Sequence, residues 1–169
     1  MATTNSNDII DIIIDLIELN IPKDRYKTIW YGDPLNIPNR SFPSLTVFGQ
    51  NVETSLGRTQ CDKETQTIVI KQLIDKRQIL KDNHQEVFGL RLLRKWLFGK
   101  DSNGQYNTDT LYYLLRNKFS LTDSDGDARI EFQDGFNTEF QIGIEPTITT
   151  YESTTSFTVT RSINMNSRT

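Results

Sequence analysis

The chain has 169 residues, a hydrophobic fraction of 36%, a charged fraction of 24% and a net charge of −3. This length suits one ordinary domain with its own core, and the mild negative charge argues against a general nucleic-acid coat protein. With Cys61 as its one cysteine and His84 as its one histidine, the chain can form neither an internal disulfide nor a multi-histidine metal site.

The first predicted element is a helix from Asp8 to Asn20, which Asn7 or Asp8 caps and Pro22 ends. Wound at about 100° per residue, its acidic residues fall on one narrow stripe, and apolar residues cover the rest. This acidic stripe consists of Asp8, Asp11, Asp15 and Glu18. The apolar arc is wider than a surface helix needs, so its flanks pack either within the domain or against a neighbouring subunit.

The same acidic residues distinguish this segment from a signal peptide, whose charged end is basic. The apolar stretch Ile9–Leu19 is also too short to span a bilayer. We therefore expect a soluble, intracellular protein, and we expect residues 1–6 to be flexible because they are small and polar.

The next part of the chain predicts strands joined by two long loops. Alternation and β-branched residues predict strands over Thr28–Tyr31, Ser44–Phe48 and Thr65–Leu73. The segment Gly32–Pro43 contains three prolines and is expected to be irregular, and Gln50–Lys63 lacks periodicity and is expected to be a loop. The segment Asp75–Lys81 fits either a strand extension or a helical turn.

A second, amphipathic helix is predicted over His84–Phe98, with Gly99 at the position of a C-cap glycine. One face is apolar, and the opposite face carries a basic stripe made of Arg91, Arg94 and Lys95. A third helix is predicted from Thr108 or Asp109 to Phe119.

The last third of the chain alternates with the period of two that is typical of half-buried strands. Strands are predicted over Ala128–Phe132, Glu139–Ile144, Thr147–Tyr151 and Thr155–Ile163. One face of this region is apolar, with Phe140, Ile142, Ile144, Phe157, Val159 and Ile163. The other face is rich in hydroxyls, and Thr158, Thr160 and Ser162 are where we expect a neighbouring subunit or a lumen.

Together these elements predict an α+β fold, with a mostly antiparallel β-sheet and about three helices packed on one face. No internal repeat or linker divides the chain, so we expect a single domain over residues 1–169.

One acidic turn resembles an EF-hand calcium loop, because Asp123, Asp125 and Asp127 occupy the first, third and fifth positions. However, Ala128 replaces the glycine of position six and Asp134 replaces the glutamate of position twelve. A polar turn needs the same residue types for its own geometry. We expect no metal here, with calcium binding as the alternative.

The two charge stripes are complementary to each other. A solvated helix face is the default interpretation of each stripe. If the acidic stripe of one copy contacts the basic stripe of another, the contact is head-to-tail, and such contacts close into rings when the rotation permits.

No phosphate-binding glycine loop, Gly-x-Ser-x-Gly elbow or cysteine pair occurs, so we expect neither an enzyme nor a cofactor. The order of elements instead resembles the tail terminator and neck proteins of tailed bacteriophages. The resemblance spans most of the chain and is carried by the acidic-apolar first helix and by four segments. These are Phe42-Pro-Ser-Leu-Thr-Val-Phe48, Thr67-Ile-Val-Ile70, Leu92-Leu-Arg-Lys-Trp96 and Ser156-Phe-Thr-Val-Thr-Arg-Ser-Ile163.

The resemblance implies a homo-oligomeric ring, commonly a hexamer, that caps the tail tube, stops its elongation and docks to the neck or head connector. DNA would pass through the lumen without specific binding. The sheet edge and first helix would join neighbours, and the loops Gly32–Pro43 and Gln50–Lys63 would reach the tube or connector. The alternatives are another phage neck, head-completion or baseplate component, and a calcium-dependent protein-binding module.

Overall fold

The computed structural model describes residues 8–34, 36–56, 61–82, 85–117, 120–122, 129–144 and 149–164. The helices are α1 (Ile9–Asn20), α2 (Gly89–Phe98) and α3 (Leu111–Asn117). The strands are β1 (Thr28–Tyr31), β2 (Ser44–Ser55), β3 (Cys61–Asp75), β4 (Ile79–Asp82), β5 (Gln85–Phe88), β6 (Ser120–Thr122), β7 (Arg129–Ile144) and β8 (Thr149–Asn164). Residues 1–6, expected to be flexible, and His84 lie outside this description.

The described strands form a six-stranded sheet in the order β1-β2-β3-β8-β7-β6, with β4 and β5 paired separately. All neighbours in the main sheet are antiparallel except β1 and β2, which are parallel. This is the predicted α+β fold with a mostly antiparallel sheet.

Helix α1 forms as the sequence predicts. The Asp8 carboxylate accepts a hydrogen bond of 2.9 Å from the backbone N–H of Ile10, which satisfies one of the free donors at the helix start. At the other end the N–H of Ile21 still reaches the carbonyl of Ile17, and Pro22 follows. The wide apolar arc is largely buried within the domain, at Ile9, Ile10, Ile13, Leu16 and Ile17.

The main core lies between one face of the sheet and the three helices. Its sheet side is made by pairs of inward residues on three adjacent strands: Leu45, Val47, Ile68, Ile70, Phe157 and Val159. Leu97 of α2 and three leucines of α3 close it from above, together with α1. A smaller cluster of Ile74, Val87, Leu92 and Leu93 continues the core beneath α2.

The prediction of a loop over Gln50–Lys63 is wrong over most of its length. β2 continues to Ser55 and β3 already begins at Cys61, so the two strands form a long hairpin. An irregularity between Gly49 and Val52 shifts the register, and all side chains from Gln50 to Ser55 are exposed. Because neither face is buried, no apolar alternation marks this stretch as a strand. We call Gln50–Ser55 together with Cys61–Thr65 the arm.

The four C-terminal strands of the prediction are two long ones. β7 runs without a break through Gly135, with a register shift between Gln133 and Asn137, and β8 runs continuously from Thr149. A bulge lets a strand absorb an extra residue without ending, which is why the glycine did not divide the strand.

The predicted start of the second helix is wrong, since Gln85–Phe88 is strand β5, paired with β4. The chain turns into α2 at Gly89, which has a φ of +59°, and a Cβ added at this position would lie 3.1 Å from the ring of Tyr151. A glycine is needed there for both reasons. Phe88 is 57% exposed and does not belong to the apolar face.

The third helix is shorter than predicted and begins at Leu111. Its cap is Thr110, whose hydroxyl lies 3.4 Å from the backbone nitrogen of Tyr113, and neither Thr108 nor Asp109 takes this role. The Asp109 carboxylate instead pairs with Arg25.

Candidate interface surfaces

The acidic stripe lies along α1 and becomes more exposed towards its C-terminal end. Asp15 and Glu18 are exposed, whereas Asp8 and Asp11 are half-buried. Asp8 is occupied by the N-cap and by a hydrogen bond from the hydroxyl of Tyr31, and this bond raises the pKa of Tyr31 to about 12. The part of the stripe best placed to meet another molecule is therefore Asp15 and Glu18.

Asp11 gives this surface a measurable pH dependence. Burial, and then repulsion by Asp8 and Asp15, raise the pKa of the Asp11 carboxyl above its usual 3.8. A carboxyl whose pKa is higher in the folded state stabilises the fold at low pH, and this contribution is lost as pH rises from about 3.8 through the folded-state pKa.

Asp11→Asn is therefore expected to raise the free energy of unfolding at pH 7 by about 0.2–0.5 kcal/mol, the usual scale of a like-charge pair on a helix. Urea titrations at pH 7 and pH 3.5 measure the effect, which should shrink at the lower pH. Asp24→Asn, in the exposed turn after α1, is the matched control. An Asp11→Asn gain that is equal at both pH values would contradict this account.

The basic stripe lies on the outer side of α2. Arg91 and Arg94 are exposed and Lys95 is half-buried. The guanidinium carbon of Arg94 lies 5.1 Å from the centroid of the Phe140 ring on β7. This contact places the positive charge of Arg94 beside the sheet.

The open face of the sheet is the face opposite the helices, and it carries Thr158, Thr160 and Ser162. Ser162 is exposed and Thr158 is half-buried, as expected of an outer face. The expectation that Thr160 is available on that face is wrong, because it is 3% exposed. Its hydroxyl lies 3.3 Å from that of Thr65 on the neighbouring strand, so the two hydroxyls satisfy each other.

The polar character of this face extends across three strands. In register, Thr158 lies beside Thr67 on β3, and Ser156 lies between Asn137 on β7 and Val69 on β3, an apolar residue that is itself only 3% exposed. No described α-helix belongs to this side, because the core clusters join all three α-helices to the opposite face. The open face is therefore suited to a polar contact and offers little apolar surface.

Large apolar side chains are exposed at opposite ends of the sheet, which the sequence pattern does not indicate. At one end the arm exposes Val52 by 57%, and the neighbouring Leu56 is 89% exposed. At the other end Phe88, Ile142 and Ile144 are 57%, 52% and 83% exposed. We call these last three residues the end patch. Ile142 pairs with Tyr151, whose ring lies against Gly89, the residue that follows Phe88.

The alternation of β7 predicted Ile142 and Ile144 to be half-buried core residues. They do lie on the helix-bearing face, but they follow Phe140, the last side chain of β7 that packs against the core clusters. Exposed apolar residues that adjoin one another mark interaction sites.

One cleft of the molecule holds an ion pair with a structural role. A cleft of about 390 Å³ is lined by Arg25, Trp96 and Asp109, among others. There the Arg25 guanidinium donates to both the side chain and the backbone carbonyl of Asp109, and it lies 5.6 Å from the Trp96 ring centroid. This arrangement anchors the segment after α1 to the start of α3.

Among the described residues, no group of three or more histidine, cysteine, aspartate or glutamate side chains is arranged to hold a metal ion. The calcium-like positions Asp123, Asp125 and Asp127 lie outside the described residues. The segments flanking them, Ser120–Thr122 and Arg129–Glu131, pair as antiparallel strands, so no helix follows the turn directly.

Within the described part of the chain, no helix is both long enough and apolar enough to traverse a membrane. No protein-family model matches the chain, and the comparison with curated proteins gives no match.

Proposed function

We propose that the chain is a virion structural protein without catalytic activity, a tail terminator of a tailed bacteriophage. Its copies form a ring, a hexamer, that caps the tail tube, stops its elongation and joins it to the neck or head connector. The protein assembles in the host cytoplasm and resides in the virion, and DNA passes the lumen without being specifically bound.

The observation that supports assembly is the pair of unlike apolar surfaces at opposite ends of one sheet. The arm exposes Val52 at one end, and the end patch exposes Phe88, Ile142 and Ile144 at the other. A subunit with two different unsatisfied surfaces makes head-to-tail contacts, and these generate rings when they close. An enzyme, by contrast, needs a cleft with convergent reactive groups.

The charge stripes supply a second contact that is also head-to-tail. Asp15 and Glu18 are exposed on α1, and Arg91 and Arg94 are exposed on α2. In a ring each subunit would present its acidic stripe to one neighbour and its basic stripe to the other. The mutual attraction would guide the approach and fix the relative orientation more than it would add affinity.

Arg91→Glu/Arg94→Glu is expected to weaken ring assembly about 10–100-fold, because like charges then face each other at every interface. Size-exclusion chromatography with light scattering, over a concentration series, measures the change. Lys23→Glu/Arg40→Glu alters two other exposed cations by the same net charge and is the matched control.

Mixing Arg91→Glu/Arg94→Glu with Asp15→Arg/Glu18→Arg should restore a ring with an even number of subunits, since the two variants then alternate. A monomer for the wild type would contradict the proposed function. A ring that persists in the reversed variant would exclude the stripes as the contact, and a calcium-dependent monomer would favour the binding-module alternative. An image of the protein within a virion distinguishes a terminator from a neck, head-completion or baseplate component.

A further inference from the structure

β7 presents a long unpaired edge. On one side β8 pairs with it over Ile130–Gln133 and Asn137–Ile144, and on the other side β6 covers only Arg129–Glu131 among the described residues. The regular stretch Asn137–Ile144 therefore exposes a row of backbone donors and acceptors. Natural proteins usually protect such an edge with lysine or proline, and this stretch contains neither.

The opposite side of the same sheet has a second free edge. β1 pairs with β2 only over Ser44–Val47, so within the described residues Val52–Ser55, the regular part of the arm strand after the irregularity, pairs with β3 alone. Every side chain from Gln50 to Ser55 is exposed. Among the described residues, each side of the sheet thus has a strand segment without a neighbour, β7 on one side and the outer part of β2 on the other, and each lies next to exposed apolar residues.

The apolar residues of the two edges lie on the same face. Val52 is in register with Gln66 and through it with Val159, which is a core residue of the helix-bearing face. Ile142 and Ile144 alternate with Phe140, which also packs against the core. If the sheet of one copy continued into the next, Val52 would come to lie beside Ile142 or Ile144.

Charge favours this pairing over the pairing of two β7 edges. Two β7 edges related by a two-fold axis would bring Arg94 near its own copy, and they would end assembly at a dimer. The arm instead carries Glu64 on the helix-bearing face, in register with Thr54, and it carries Glu53 nearby. Arg94, which lies over Phe140, would then face carboxylates.

We propose that the free edge of β7 (Asn137–Ile144) binds the arm strand Gln50–Ser55 of a second copy, so that the sheet continues between subunits and Val52 is buried against Ile142 and Ile144. This inference rests on the proposed ring and specifies its contact. The backbone hydrogen bonds would supply affinity, as in other cases of strand addition, and the apolar pair would set the register.

Disulfide trapping tests the contact in the full chain carrying Cys61→Ser, which removes the native thiol of the arm. Val52→Cys is combined with Ile142→Cys, or with Ile144→Cys, and the protein is oxidised mildly. Within one chain, Val52 is in register with Val159 of β8 and Ile142 with Tyr151, eight residues away along the same strand. The two sites are therefore roughly 25 Å or more apart, whereas a disulfide spans only about 4.4–6.8 Å between Cα atoms. The double variant should therefore form a ladder of covalent multimers, and each single variant should stay monomeric on a non-reducing gel.

Each other outcome overturns the proposed contact. A dimer from Ile142→Cys alone would show that β7 pairs with β7. A ring seen by light scattering without a covalent ladder would show that another surface or another protein occupies the edge, and the proposed function would stand. A strict monomer would remove both.

Lysine substitutions provide a second measurement that does not depend on thiol chemistry. Val52→Lys and Ile142→Lys should each weaken assembly at least tenfold while leaving the melting temperature of the dissociated chain unchanged. Ser102→Lys is the control for the added charge, since Ser102 is exposed in the turn between α2 and α3 and belongs to neither edge nor to either charge stripe. Equal effects of all three substitutions would overturn the contact.

Discussion

Replacing Phe157 with alanine is expected to lower the free energy of unfolding by about 3–5 kcal/mol, the usual cost of truncating a buried aromatic side chain. Phe157 is 3% exposed and lies on β8 at the centre of the main core. Its ring meets that of Phe136 edge-to-face, with the centroids 5.1 Å apart, so the substitution removes an aromatic pair as well as apolar burial. Urea titration of the dissociated chain measures the loss.

Phe88→Ala is the matched control, because it makes the same chemical change at a side chain that is 57% exposed. Its effect on the unfolding of the dissociated chain should stay within about 0.5 kcal/mol. For assembly we expect the opposite order. Phe88→Ala should weaken assembly more than Phe157→Ala does, because Phe88 belongs to the end patch. A Phe157→Ala loss no larger than that of Phe88→Ala would contradict the described core.

The parts of the fold that the sequence predicts correctly are those where one face is buried. α1 is marked by a capping aspartate, a clear apolar arc and a following proline, and each is a local signal. The buried parts of β2 and β3 likewise alternate, with Val47 and Ile70 paired in the core. Local pattern and tertiary environment agree in these segments.

The parts that the sequence does not predict are those that depend on contacts distant in the chain. Gln50–Ser55 forms a strand because β3 pairs with it, although neither of its faces is buried. Gln85–Phe88 continues a helical spacing in sequence but pairs with β4 in the structure. Periodicity reports burial, so it cannot detect a strand held by hydrogen bonds alone.

The candidate interface is likewise only partly predictable from the sequence. The charge stripes are predictable because charged residues on a helix are solvated by default, and Arg91, Arg94, Asp15 and Glu18 are indeed exposed. Ile142 and Ile144 look identical to core residues in the sequence, since their alternation continues that of Phe140. Their exposure depends on how far the core extends along β7, which is a tertiary property that the local sequence does not encode.

Gln72→Leu is expected to lower the free energy of unfolding by about 2–5 kcal/mol, although leucine is close to glutamine in size. Gln72 is fully buried among the core residues of β3. Its side-chain carbonyl accepts a hydrogen bond from the Tyr26 hydroxyl, and its amide nitrogen donates to the Ser153 hydroxyl at 3.1 Å. Burial raises the pKa of Tyr26 well above its usual range, so this hydroxyl remains a donor. The leucine leaves two buried hydroxyls without their partner.

The same hydrogen-bond network predicts that replacing its other members restores the stability lost in Gln72→Leu. Replacing all three partners, as Tyr26→Phe/Gln72→Leu/Ser153→Ala, removes every orphaned group and should return the free energy of unfolding to within about 1–2 kcal/mol of the wild type. Urea titration of the single, double and triple variants measures the coupling between the sites. If the three single losses simply added, the groups would be acting independently. Strong non-additivity is expected, because a buried polar group is costly only while its partner is missing. The need of Tyr26, Gln72 and Ser153 for one another fixes the register of β3 against β8 and against the segment after α1.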